Sequence, residues 1–511
     1  LKQGRFKITE MEFSNERKIS FNLEKIARFL NGFLLILMIS SGLAGFMWNT
    51  NWYWLTSVTF FLNALNFYYL YIQKQHALLA NFGILALFRY LVESIGPEFR
   101  QYLYSSDTEE KPFNRIDRAD VYKKAKNTEK SSAFGSLLDF DSKALKLKHS
   151  FYPVDINKLQ PFRVCFGEER NLKQAYTINK AIMVGGMSYG ALGRKAIHAL
   201  SLGAKKAGIL LNTGEGGYPK YHLMGGADLI FQMGTAKFGV RNEDGSLNPD
   251  LLEKIARLDQ VKMIEIKFSQ GAKPGKGGFL PKEKITEEIA ELRGIPIGKD
   301  VISPAGHKEC VSAESTVRFI RKIQEISLLP TGIKFCLGST KEMGELFLEM
   351  KKQNIYPDYI SIDGSEGGTG AAPKTFMDDL GYPLFPALEK VISLIEEHKV
   401  TGKFKIVTSG KLIRAGRQMM ALCMGASAIY TARGFMLAMG CIQALRCNNN
   451  TCPVGITTHS EKLQHGLDIK EKAERVSNYV LNLDHHHYEM LAAMGETKFS
   501  DLTCDNLIIP T

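Results

Sequence analysis

The chain has 511 residues, of which 45% are hydrophobic and 23% charged. That is ordinary for a folded protein of one large domain with additions, or of two to three domains. The net charge of +12 does not point to nucleic acid. There is no zinc-finger, RRM or related module, and no basic stripe interleaved with aromatics. The excess reads as scattered surface lysine, part of it facing an anionic membrane surface.

Residues 1–28 read as a polar, cytoplasmic leader carrying Arg17, Lys18, Lys25 and Arg28. Two apolar runs follow, Phe29 to Trp48 and Tyr53 to Ile72, separated by "NTNW". A spanning helix needs about 20 mostly apolar residues, so 29–72 is expected to be a transmembrane helical hairpin. Trp48, Trp52, Tyr53 and Trp54 cluster at one end, as aromatic belts do. The loop between the runs lacks Lys and Arg, which places both termini and the catalytic domain in the cytoplasm. The long leader and the immediate second run argue against a signal peptide. Residues 73–160 read as an amphipathic helix and connecting region. His76 to Ile95, broken by Arg89 and Glu93, suits an interfacial or docking helix, and Ser105 to Lys130 an irregular charged connection.

From about Ala181, short apolar runs ending in glycine or polar residues alternate with helical stretches. They are "AIMVGGMS", "GILLNTGEGG", "DLIFQMGT", "KMIEIKFSQG", "GIKFCLG", "DYISIDGSEGG", "KFKIVTSG" and "ASAIYTARG". Eight strand–helix units argue for an α/β fold, a (β/α)8 TIM barrel over 161–460, with a C-terminal helical tail over 461–511. Active sites of such barrels lie at the C-terminal strand ends. Glu215, Gln232, Lys267 and Lys334 fall there. So do the glycine-dense "DGSEGGTGAAP" after the sixth run, "TSGKLIRAG" after the seventh and "TARG" after the eighth. Backbone N–H groups approach phosphate closely where Cβ is absent, so a phosphate-bearing cofactor is expected. "GAKPGKGG" imitates a Walker A loop but has one residue too few between its glycines, and Gly277 where Ser or Thr belongs. "DHHHYEM" reads as a polar turn or helix start, not a metal site.

Eight cysteines in this length fit a reducing compartment with mostly free thiols. Cys441, Cys447 and Cys452 stand apart in "GCIQALRCNNNTCPVG". The spacing does not match a zinc knuckle, with His459 as a possible fourth ligand. It leaves two readings open: iron–sulfur ligands followed by Pro453, or small buried residues at a helix end.

Taken together, "GGMSYGALG", "NTGEGG", "IEIKFSQGAKPGKGG", "ISPAGH", "IDGSEGGTGAAP" and "GCIQALRCNNNTCPVGITT" resemble the FMN-binding synthase domain of glutamate synthase, from about Pro161 onward. The N-terminal part looks like the short membrane-attached members of that family. The resemblance implies FMN beside a 3Fe-4S cluster, with Cys441, Cys447 and Cys452 as its ligands. It implies 2-oxoglutarate bound by Gln270, Lys273 and Arg293, and active-site roles for Glu215 and Lys267. Gln232 and Lys334 would face the flavin ring, and Gly410, Lys411, Ala432 and Arg433 with the adjacent backbone would hold its phosphate. Gly186, Met187, Ser188, Gly367, Gly368 and Ser409 would also bind the cofactor. The implied reaction is reductive amination of 2-oxoglutarate to L-glutamate by hydride transfer from FMN.

The large family members open on a glutaminase cysteine, where this sequence has its leader and apolar runs, and no G-x-G-x-x-G opens a βαβ unit. Ammonia or a separate glutaminase is therefore the expected nitrogen source. An external donor, ferredoxin or a reductase subunit, is the expected electron source. The alternatives are a membrane-attached flavin and iron–sulfur enzyme for another amino or imino acid, and a non-catalytic electron-relay subunit.

Overall fold

The computed structural model describes residues 23–509 apart from 129–130, 132, 138–144 and 219. Most of the leader lies outside the described residues. The chain forms two compact units, Leu1–Glu110 and Lys111–Thr511.

In the first unit, α1 (Leu23–Met47) and α2 (Trp52–Phe67) form an antiparallel pair. Polar residues in otherwise apolar runs join them. Thr56 Oγ1 meets Ser41 Oγ at 3.0 Å, Asn63 Nδ2 donates to Leu34 O at 3.1 Å, and Asn66 Nδ2 donates to Asn31 Oδ1 at 3.0 Å. Their outer faces leave Phe29, Ile36, Phe46, Phe60 and Phe61 exposed. Among the described residues, one helix, Arg28–Met47, is long and apolar enough to cross a membrane by length and composition. The expectation of two spans is thus supported for the first run alone. The second run holds 16 residues of α-helix before the backbone widens into a π-helical turn, Tyr68–Ile72. At about 1.5 Å per residue its α-helical part falls short of a hydrocarbon core about 30 Å thick. The stretch after it forms α3 (Ala77–Phe82) and α4 (Leu85–Phe99), parted at Gly83 with φ +57°.

The second unit opens with a further correction. Within the charged connection lies α5 (Arg115–Lys126), begun by Asn114, whose side chain accepts from Asp117 N at 2.8 Å. Arg118, Val121 and Ala125 are its buried residues. Their three- and four-residue spacing makes a narrow stripe that the surrounding charge conceals.

All eight apolar runs become the strands of one closed parallel barrel. They are β1 (Ile182–Val184), β2 (Leu211–Asn212), β3 (Leu229–Met233), β4 (Val261–Lys267), β5 (Thr331–Phe335), β6 (Tyr359–Asp363), β7 (Lys405–Ser409) and β8 (Ala428–Thr431). Spatial order follows chain order. β8 closes on β1 with Tyr430 opposite Met183, and β4 meets β5 with Lys267 opposite Lys334. Helices cover the outside. α6 (Arg194–Ala207) packs on the long α7 (Ile469–Met494), where a Cβ on Gly203 would lie 2.6 Å from Val476.

The histidine run lies inside α7 and not at a turn or helix start. Val476, Tyr479, Val480, Leu483, His487 and Leu491 form its buried stripe. His487 takes a core position, 2.8 Å from Gln418 Oε1, and burial pulls its pKa down to about 3. His485 faces outward to Glu489 at 3.2 Å.

At the N-terminal side of the barrel, Arg170 grips Asp358 with two bonds of 2.9 and 2.7 Å, and Thr331 N donates to the same carboxylate at 2.7 Å. Asp358 thus ties the entry of β5 to that of β6. Asp358→Ala leaves the guanidinium and an amide without their acceptor. It is expected to lower stability by about 3 kcal/mol, measured by chemical unfolding followed by circular dichroism. A loss under about 1 kcal/mol would show the pair to be dispensable.

Candidate active site

The C-terminal strand ends open into a cavity of about 520 Å³. Gly186, Met187 and Ser188 reach it after β1, Glu215 after β2, Gln232 from β3, and Lys267, Gln270 and Lys273 from β4 and its loop. Arg293 also lines it. It is the last residue of a short helix, Glu287–Arg293.

Charge dominates the geometry. Lys267 Nζ lies 2.8 Å from Glu215 Oε1 and donates to Gln270 Oε1 at 2.5 Å. Burial alone would raise the Glu215 carboxyl, but Lys267, Lys273 and Arg293 overcome it and hold the pKa down to about 2. Burial lowers Lys273 to about 8, opposed by Glu215 and helped by Lys267. Burial likewise lowers Arg293 to about 10 against Glu215. Arg293 Nη2 donates to Tyr189 O at 2.6 Å, its guanidinium carbon lies 5.2 Å from the Phe238 ring centre, and its buried Nε has no hydrogen-bond partner among the described residues. One edge is anchored and donors remain for an anion.

A second hollow of about 80 Å³ shares Gly186, Gln232, Gly367, Gly368, Lys411, Ala432 and Arg433 with the first. Lys334, Ser409 and Gly410 line only this one. Asp363 is its hub. Its Oδ2 lies 3.4 Å from Lys334 Nζ and accepts from Gly271 N at 3.1 Å, while Oδ1 accepts from Ser409 Oγ at 2.6 Å. Burial would lower the Lys334 pKa, but Asp363 and Glu265 raise it. A Cβ on Gly368 would lie 2.7 Å from the Arg433 side chain. Lys411 and Arg433 put two half-buried cations beside bare backbone, a cradle that fits a phosphate monoester. The apolar Met187, Leu192 and Met436 nearby suit the ring system of a flavin.

The glycines of "GAKPGKGG" serve loop contacts instead. A Cβ on Gly271 would lie 1.7 Å from Gly364 O, and one on Gly277 would lie 1.9 Å from Ser303 O.

Cys441, Cys447 and Cys452 are free thiols around one void of about 10 Å³. Cys441 and Cys447 also border the large cavity. Burial pushes Cys441 up to about 11 and raises Cys447. Among the described residues, no group of three or more His, Cys, Asp or Glu could hold a metal ion. Thiolates on a cluster bind separate irons and surround a volume rather than a point, so the trio suits a cluster better than an ion. The buried Lys284 stands beside them, donating to Ala191 O at 2.6 Å and Cys447 O at 3.2 Å.

Several site residues are not evident from the motifs. Asp363 and Glu265 lie within quoted runs, and strand alternation puts Glu265 on the same face as Lys267. Lys284, Phe238 and Phe113 carry no local signal. Phe113 lies under the Arg433 guanidinium at 4.8 Å although it precedes that arginine by 320 positions.

Fold and site together define a TIM barrel with a cation-lined cavity beside a glycine-rich hollow. The conserved region in glutamate synthase matches residues 107–497. The glutamate synthase large subunit-like protein YerD of Bacillus subtilis (strain 168) is 36% identical over 461 residues, 83% of this chain and 88% of that protein. Archaeal glutamate synthase (NADPH) of Methanocaldococcus jannaschii is 32% identical over 349 residues, 68% of this chain and 65% of that protein. The archaeal-type glutamate synthase (NADPH) of Thermotoga maritima is 34% identical over 316 residues, 61% and 59% respectively. The chain belongs to the glutamate synthase family, and is a glutamate synthase-like oxidoreductase acting on the CH–NH2 group of donors.

Lys273 sets a pH dependence. Anion binding favours its protonated amine. Above about pH 8 binding must take up a proton, so affinity for a dicarboxylate falls as pH rises, by up to about tenfold per unit. Isothermal titration across that range should show the slope, and Lys273→Met should flatten it. An unchanged slope in the variant would assign the proton to another group.

Proposed function

We propose that this chain is a membrane-attached glutamate synthase that uses FMN and a 3Fe-4S cluster to make L-glutamate from 2-oxoglutarate and ammonia. One observation carries the reading. Lys267, Lys273 and Arg293 converge with Glu215 on the cavity that is continuous with the Lys411–Arg433 cradle. An inert electron-relay subunit has no need of converging buried cations, which are costly to hold without an anionic ligand.

Lys273 and Arg293 would bind the two carboxylates, Arg293 through a planar fork that lysine lacks. Lys267 would lie at the keto carbon. Replacing the keto oxygen by nitrogen releases it as water, which needs a proton at that oxygen. Lys267 Nζ is the donor, and Glu215 and Gln270 hold it in place. Gln232 and Lys334 would orient the flavin, and Gly410, Lys411, Ala432 and Arg433 its phosphate. Bound FMN would supply the hydride that completes glutamate. Cys441, Cys447 and Cys452 would hold the cluster that receives electrons from ferredoxin or a reductase subunit. Ammonia would arrive free or from a separate glutaminase. The exposed apolar face of α1 and α2 would attach the enzyme to the membrane.

The purified chain is expected to carry FMN and about three iron atoms. Cys447→Ser should lose the iron and keep most of the flavin, measured by metal analysis and absorbance. Full iron content in that variant would remove Cys447 from the ligand set.

Arg293→Ala should weaken 2-oxoglutarate binding by at least about tenfold, since losing a buried charge-assisted partner costs about 2–5 kcal/mol. Arg293→Lys should recover only part of it. Equal affinity in all three proteins, followed by flavin absorbance, would shift the reading to another amino or imino acid.

A further inference from the structure

The layer beneath the cavity is polar where barrels of this kind usually pack branched apolar side chains. Asn212, Gln232, Glu265, Tyr359 and Tyr430 occupy it, all buried. Glu265 lies in β4 two residues before Lys267, so both point into the barrel. Its register partner on β3 is Gln232. One carboxylate oxygen, Oε1, accepts from Gln232 Nε2 at 2.7 Å and from Asn212 Nδ2 at 2.8 Å. The other, Oε2, is buried without a hydrogen-bond partner among the described residues. Asn212 passes the constraint on, because its Oδ1 accepts from the backbone N–H of Gly214, next to Glu215, at 3.0 Å.

For Gln232 this decides an orientation. With Nε2 given to a carboxylate, the amide oxygen is left for whatever occupies the hollow that Gln232 lines. Flipping the amide would set oxygen against oxygen in a dry site, at the cost of two hydrogen-bonding groups. Lys334 lines the same hollow. The floor therefore offers an acceptor at Gln232 near a donor at Lys334. That pattern complements a heterocycle edge on which a ring N–H adjoins a carbonyl, as on the pyrimidine ring of a flavin.

We propose that Glu265 is a positioning residue for the cofactor. It locks Gln232 so that the amide oxygen accepts from the flavin N3–H, and thereby makes the site selective for a ring that carries that proton. The inference rests on the FMN reading above and adds to it a residue that does not itself touch the cofactor.

The test compares FMN with 3-methyl-FMN, which lacks the N3 proton. Both are titrated into the full-length apoprotein by flavin fluorescence in wild type, Glu265→Gln, Gln232→Met and the double variant. Wild type should prefer FMN by about tenfold or more, and Gln232→Met by less than about threefold. Glu265→Gln should approach Gln232→Met, because a glutamine there presents N–H as well as oxygen and lets Gln232 turn over. The double variant should fall no further than Gln232→Met alone, since both changes remove one interaction. Should Glu265→Gln fail to fold by circular dichroism, Glu265→Asp replaces it. The shorter acid draws away from Nε2 and should lower the preference in the same direction. A wild-type preference retained in the Glu265 variant overturns the inference and leaves the FMN reading standing. Additive losses in the double variant overturn the route through Gln232. A wild type that binds no FMN overturns both.

Discussion

One carboxylate among three cations governs the site. Lys267, Lys273 and Arg293 are all buried around Glu215. Buried charges of one sign would push the loops apart or lose their protons. Glu215 keeps them together, and they in turn hold it ionised against its burial. The balance is incomplete by design of the residue set. The excess positive charge suits an incoming dianion, while Lys273 is depressed chiefly by its burial, with Lys267 adding to the effect and Glu215 opposing it.

The barrel makes this balance possible. Strands β4 and β5 stand in register with Lys267 opposite Lys334, so the two lysines rise side by side from the floor. Two acids then hold them apart. Glu215 draws Lys267 towards the large cavity, and Asp363 draws Lys334 towards the cradle. Without those two acids, adjacent lysines in a dry barrel would repel each other. Rigid strands aim the side chains, and glycine contacts such as Gly271 against Gly364 hold the loops at a separation no other residue allows.

How much of this was legible depends on the range of the interactions. Parallel strands buried on both faces are short, continuous apolar runs, and their C-terminal loops need glycine. Each barrel strand therefore carries its own local signature, and all eight are visible along the chain. Lys267 ends β4, and Glu215 and Lys273 stand in those same loops, so their types and positions are visible too, whereas Arg293 ends a short helix further along the chain. The charged connection hid α5, because its buried positions, Arg118, Val121 and Ala125, are few and set among charged residues. The histidine run misled for a similar reason. His487 is polar by type but occupies a core position in α7, where Gln418, 69 residues away, satisfies it.

The amino-acid sequence by itself determined the barrel, the placement of basic and acidic residues at its strand ends, and the thiol spacing, because each is written in residues within about ten positions of one another. Only the tertiary structure decided which charges face each other. The Lys267–Glu215 and Lys334–Asp363 pairs, the Phe113 ring under Arg433 and the grip of Glu265 on Gln232 join segments from different turns of the barrel. Their partners are chosen by strand register and closure. The physical reason is that an ion pair or a buried hydrogen bond depends on distance and desolvation, and both are properties of the closed barrel that no single segment possesses.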